Sequence, residues 1–144
     1  MTAPLAEPSA DSETADPVPS GFVDPQVGGF VGALGPILRD DRADQVVSGF
    51  VVETRHCNPF GVCHGGWLST FADVTMARMA ASGEGRWVTA GLAVDFVKPV
   101  PLGTWVQSDC VRIRQGARTC LVQGVARARG EVVLRMNATF RQIG

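Results

Sequence analysis

Residues 67–81, WLSTFADVTMARMAA, contain neither Gly nor Pro and are rich in Ala, Met and Leu. Such a stretch forms a helix. Its apolar residues (Trp67, Leu68, Phe71, Ala72, Val74, Met76, Ala77, Met79 and Ala80) cover nearly every side. A helix that is apolar all round is predicted to lie inside a fold. Gly83 and Gly85 end it. Everything downstream reads as strands: 86–97, then 104–114, 118–128 and 132–142, joined by the turn segments KPVPLG, QGA and RGE. The segment 104–114 alternates, with Trp105, Gln107, Asp109, Val111 and Ile113 on one side. Val106, Ser108, Cys110, Arg112 and Arg114 lie on the other. Upstream, QVVSGFVVE (45–53) is a further strand, and 22–38 reads as a short helix followed by a turn at LGP. A single antiparallel sheet must bury its apolar face on something, and the helix over 64–81 is the one element able to cover it. The predicted class is therefore α+β: a curved antiparallel sheet of about five to six strands wrapped around one central buried helix.

A chain of 144 residues suffices for one domain with a proper core. Residues 1–20, MTAPLAEPSADSETADPVPS, offer almost nothing to bury and read as a disordered acidic tail before a domain at 21–144. Residues 1–25 carry five acids and no base, which leaves nine acids against thirteen bases elsewhere, a formal +4. That balance suits a phosphorylated small ligand and is too weak for nucleic acid. Cys57, Cys63, Cys110 and Cys120 are too scattered for a disulfide scaffold and read as free thiols in a reducing compartment. Cys63 and His64 have no second pair at metal-ligand spacing, so no metal site is expected. There is no apolar run long enough to span a bilayer and no secretory leader pattern, so a cytoplasmic location is expected. One lysine beside twelve arginines points to a GC-rich, bacterial genome.

The chemistry concentrates in NPFGVCHGGWLSTFADVTMA, residues 58–77. A carboxylate on a buried helix is costly unless paired or needed. Asp73 is thus either a structural acid bonded to Ser69, Thr70 or a backbone amide, or a base or nucleophile made reactive by desolvation. Gly65 and Gly66 stand where the helix begins, where free N–H groups and the dipole favour negative charge. They are either a plain turn or donors to a carbonyl oxygen, which a missing Cβ lets come close. His64 reads as a general base or as a capping residue. Asn58 reads as a hydrogen-bond donor or as the start of a turn before Pro59. Arg114 and Arg118 flank a turn, with Lys98 beside another. Such basic tips are ordinarily solvated. Trp67, Phe71 and Met76 read as core or as pocket lining.

The ordered set Asn58-x-x-Gly61-x-x-His64-Gly65-Gly66, then Asp73, Thr89, DFVKP (95–99), PLG (101–103) and RQGART (114–119), resembles the acyl-CoA thioesterases of the hotdog fold. The similarity is greatest to the phenylacetyl-CoA thioesterase-like branch and covers roughly residues 30–142. The resemblance implies that Asp73 attacks the thioester or activates water, and that the Gly65 amide polarises the carbonyl. It implies supporting roles for Asn58 and His64, and a hydroxyl at Thr89 that holds the water. It places coenzyme A against Arg114, Gln115, Gly116, Ala117, Arg118 and Thr119, with Gly66 and Phe96 nearby. It further implies no cofactor beyond the coenzyme A of the substrate, no membrane or nucleic-acid partner, and a homodimer or dimer of dimers (a homotetramer) with sites between subunits. Two rival expectations are an acyl-thioester hydratase or dehydratase, and a non-catalytic acyl-CoA binding protein. The acyl group is not specified by these residues.

Overall fold

The computed structural model describes residues 14–42 and 45–144. The chain runs β1 (Phe22–Val23), α1 (Gly29–Leu34), β2 (Leu38–Asp40), β3 (Ser48–Val51), a 3₁₀ turn (Thr54–His56), α2 (Gly65–Ala81), β4 (Trp87–Phe96), β5 (Trp105–Gln115), β6 (Thr119–Ala128) and β7 (Glu131–Gln142). The long strands fall where the sequence places them. The strands form one antiparallel sheet in the order β1-β2-β3-β5-β6-β7-β4. Among the described residues the expected five or six strands thus become seven, because Phe22–Val23 and Leu38–Asp40 add short pairings at one margin.

The sheet curls around α2, which packs on β4, β5, β6 and β7. Phe71 and Met76 of the helix meet Phe50, Val106, Val122, Leu134, Met136 and Phe140, all nearly or fully buried. In β5 the side carrying Val106, Ser108 and Cys110 faces this core. Trp67, Phe71 and Met76 are core residues, and their burial is the main driving force for seating the helix. The C-terminal end of α2 is held by cations, as its dipole favours. Arg112 donates to Met79 O and Ser82 Oγ, both at 2.6 Å. Arg78 donates to the carbonyls of Ile37 and Leu38 and to Ser48 Oγ.

The expectation of a helix buried on every side needs correction. Ser69, Thr70, Asp73, Val74 and Ala77 are only half-buried, because the sheet covers one side of α2 and leaves this face open. The neighbouring edge strand β4 is also uncovered. Val88, Leu92 and Phe96 are 44%, 38% and 54% exposed, and one edge of β4 has no strand beside it among the described residues. The expected tail lies partly outside the described residues. Its portion from 14 to 20 contacts the sheet through Asp16, which accepts from the Trp105 N–H at 3.0 Å and from the Arg129 guanidinium at 3.2 Å.

Candidate active site

The loop into α2 is built on His56. Its side chain is 2% exposed, and its ring stacks on Trp67 with centroids 4.5 Å apart. Nδ1 accepts from the Glu53 N–H at 3.0 Å, so the neutral ring carries its proton on Nε2, 2.5 Å from the Leu34 carbonyl. Burial pushes the His56 pKa below its usual value, against the opposing pull of Leu34 O and Glu53. The chain then forms a narrow neck. Cys57 and Cys63 stand opposite each other as an antiparallel bridge. The Asn58 N–H donates to Val62 O at 2.8 Å, and the His64 N–H donates to His56 O at 2.7 Å.

Asn58 adopts the turn role. Its Oδ1 accepts from the Phe60 N–H at 2.9 Å and the Val62 N–H at 3.4 Å. The side-chain oxygen therefore shapes the loop, and its NH₂ group is the part able to donate to a ligand. His64 is the N-cap of α2: Nδ1 accepts from the Gly66 N–H at 2.7 Å. That occupies Gly66's donor and one of the two ring nitrogens. The Gly65 N–H, first in the helix, has no intrahelical partner, and no acceptor for it occurs among the described residues. Of the two glycines, Gly65 is thus the one with a donor to offer.

Phe96 lies over this point. A Cβ on Gly65 would come within 3.0 Å of the ring. Beneath is a mostly apolar cavity of about 290 Å³ lined by Val62, Cys63, Gly65, Leu68, Phe96, Val97, Lys98, Pro99 and Val100. Gly65 and the DFVKP residues Phe96, Val97, Lys98 and Pro99 carried a signal in the sequence, whereas Val62, Leu68 and Val100 carried none that pointed to a site. The lining comes from the neck and from the turn after β4, and only the fold brings the two together.

Asp73 sits two turns further along α2 on its open face. The Thr89 hydroxyl of β4 donates to Asp73 Oδ1 at 2.5 Å, whereas Ser69 and Thr70 donate back to the carbonyls of Gly65 and Gly66. Among the described residues Oδ2 has no partner. Residues 73 and 89 are therefore joined as the sequence reading places them in one site. Asp73 and Gly65 are not: eight residues of helix separate them by about 12 Å. One thioester carbonyl cannot touch both within a single chain.

The hairpin Arg114–Thr119 lies at the other end of α2. Gly116 N–H donates to Thr119 O at 2.8 Å, and Gln115 Nε2 approaches Glu84 O at 3.4 Å, just past the helix C-terminus. That is about 24 Å from Gly65. Strand register sets Thr119 beside Arg141, and Arg141 beside Val88, while the Gln142 N–H donates to Arg118 O and the Ile143 N–H to Arg86 O. Arg86, Arg114, Arg118 and Arg141 thus gather at one end of the sheet, and none has a carboxylate partner among the described residues. Sequence reasoning missed Arg86 and Arg141, because they stand far from the turn in the chain.

Comparison with known proteins adds a family to this geometry. The model of the thioesterase superfamily matches residues 60–141. A Pseudomonas aeruginosa protein provisionally named an esterase is 41% identical over 78 residues, which are 51% of this chain and 58% of that protein. The chain therefore spans less than two thirds of that relative's length. A mutant form of the phenylacetic acid degradation protein of Thermus thermophilus superposes with a TM-score of 0.71 at 25% identity, covering 79% of this chain and 98% of that one. A Bacillus halodurans protein solved with CoA superposes at 0.74 and 24% identity, over 81% of this chain and 80% of the other. These likenesses confirm the hotdog arrangement of sheet and helix.

Proposed function

The chain belongs to the thioesterase superfamily, and from that premise we propose that it hydrolyses acyl-coenzyme A thioesters to the free acid and coenzyme A. The observation that carries this reading is the Asp73–Thr89 pair on the uncovered face of α2. It is a carboxylate with one oxygen fixed by a hydroxyl and the other free to work.

Hydrolysis places negative charge on the carbonyl oxygen, which needs a prealigned donor. Gly65 supplies one at the positive end of α2. His64 keeps the helix start in place through Gly66, and the Asn58 side chain reaches out from the adjoining loop. Asp73 then either removes a proton from water or attacks the carbonyl carbon itself. The 12 Å between Asp73 and Gly65 requires that each site draw its carboxylate from one chain and its oxyanion donor from a second. A two-fold dimer joined along β4 and the open face of α2 makes two such sites. The paired arrangement also brings the arginines beyond the far end of one α2 toward the other chain's site, where the phosphates of coenzyme A need them. The protein of Bacillus halodurans solved with CoA shares this fold and makes that ligand a reasonable one here.

Replacing Asp73 with Asn tests the proposal. Hydrolysis of a panel of acyl-CoA esters, followed as free thiol, is expected to fall at least about a hundredfold, roughly 2.7 kcal/mol of barrier. Binding of coenzyme A should persist. Unchanged turnover would make Asp73 structural and refute the assignment. Binding without hydrolysis by the unmodified protein would favour a lyase or a pure binding protein.

A further inference from the structure

The neck of the active-site loop holds two thiols in a geometry suited to a bond. Cys57 and Cys63 face each other across an antiparallel bridge. The hydrogen bonds on either side of it, Asn58 N–H to Val62 O and His64 N–H to His56 O, make it a non-hydrogen-bonded pair. In such pairs the Cα atoms lie about 4.5 Å apart and the side chains leave the same face close together. A disulfide accepts Cα separations of about 4.4–6.8 Å. Both cysteines are free thiols in the structure. The other two, Cys110 and Cys120, lie on β5 and β6 away from this loop and are buried.

We propose that Cys57 and Cys63 form a reversible redox site whose disulfide closes the loop carrying Asn58. Cys57, the less buried of the two, meets the oxidant first. Its thiol gives up a proton, and the thiolate attacks one sulfur of a small-molecule disulfide. The S–S bond of that oxidant breaks and one thiolate leaves, taking up a proton. Cys63 then loses its proton and attacks Cys57 Sγ, and the second half of the oxidant leaves as a thiol. Two protein thiols are oxidised, one disulfide is reduced to two thiols, and protons balance. Burial pushes the Cys57 thiol up and the Cys63 thiol up to about 12, so closure is slow at neutral pH and accelerates in alkaline solution.

The position gives the bond a consequence. Cys57 adjoins Asn58, and Cys63 adjoins His64 and lines the cavity under Gly65. Its N–H donates to Val100 O at 2.7 Å, which fastens the neck to the opposite wall. A covalent tie here fixes the loop and the cavity wall together.

The folded protein would be incubated with oxidised glutathione at pH 8.5, alkylated, unfolded and cleaved with trypsin. Cuts after Arg55 and Arg78 leave Cys57 and Cys63 alone in one peptide, 56–78. The expected result is a peptide about two mass units lighter that takes up alkylating reagent only after reduction. Thermal melting of the oxidised protein should rise by several degrees and return on reduction. Cys57→Ser and Cys63→Ser should show neither change. Peptide 56–78 alkylated at both positions after oxidation would overturn the proposal. So would glutathione retained on Cys57, or a bond to another chain. None of these readouts depends on thioester hydrolysis, so the redox site and the catalytic reading stand or fall separately.

Discussion

At the scale of single residues, the division of labour around the start of α2 is set by who uses which nitrogen. His64 Nδ1 takes the Gly66 N–H, and the Gly65 N–H is left over. Proline suits the first position of a helix, because its missing N–H is one the helix does not use. His64 already has φ −64° and ψ 138°, the extended backbone that precedes proline. Gly65→Pro is therefore expected to keep the helix, as far-ultraviolet circular dichroism would show. Phe96, 54% exposed, has room to shift from the added ring. With the donor gone, kcat should fall by about 10²–10³. Retained kcat would show that another group stabilises the oxyanion.

His56 yields a prediction of a different kind. Its folded-state pKa lies below the ordinary 6.5, chiefly because burial disfavours the charged ring. As pH falls through about 6.5 the unfolded chain takes up a proton at this residue and the folded chain does not. The contribution to stability is complete above that pH and declines below it, until the folded pKa is reached. Denaturant midpoints measured from pH 7.5 to 5 should fall more steeply for the unmodified protein than for His56→Gln. The comparison isolates residue 56, because everything else is common to the two proteins. Equal slopes would mean that folding leaves the His56 pKa at its ordinary value.

At the scale of elements, β4 stands out. It carries Thr89 toward Asp73, yet it is uncovered along most of its length and offers a free backbone edge. An open edge bearing Val88, Leu92 and Phe96 is a surface that invites a second strand, and lysine on such an edge opposes pairing. The double substitution Val88→Lys and Leu92→Lys is expected to halve the mass seen by sedimentation and to abolish hydrolysis, with circular dichroism unchanged. An unaltered mass would place the subunit contact elsewhere. The elements themselves were legible from the chain. The absence of Gly and Pro over 67–81 marks the body of α2, and two-residue alternation marks β5. The first helical turn was harder to read, since two glycines begin it. It holds because the His64 imidazole caps the end.

At the scale of the whole molecule, the expected site divides into groups about 12 Å and 24 Å apart along α2. If two chains complete each site, heterodimers of Asp73→Asn with Gly65→Pro contain one intact site and one doubly damaged site. Co-expressed with different affinity tags and purified, they should recover about half the specific activity of the parent. Either homodimer should remain inactive. No recovery in verified heterodimers would mean that each chain carries its own complete site.

The sequence by itself determined the class of fold, the position of the buried helix, the four long strands and the chemical identity of the loop that precedes Asp73. These follow from local propensities and from spacing, which adjacent residues express wherever they end up. Only the tertiary structure decided that Thr89 bonds Asp73 while Ser69 and Thr70 turn back to the backbone. It also decided that Asn58 spends its oxygen on a turn, and that Arg86 and Arg141 join Arg114 and Arg118. It alone left one face of α2 open. Hydrogen-bond partners far apart in the chain are chosen by how a curved sheet closes on a helix. One sheet can cover only one side of a cylinder, so the opposite side, with its carboxylate, stays uncovered among the described residues.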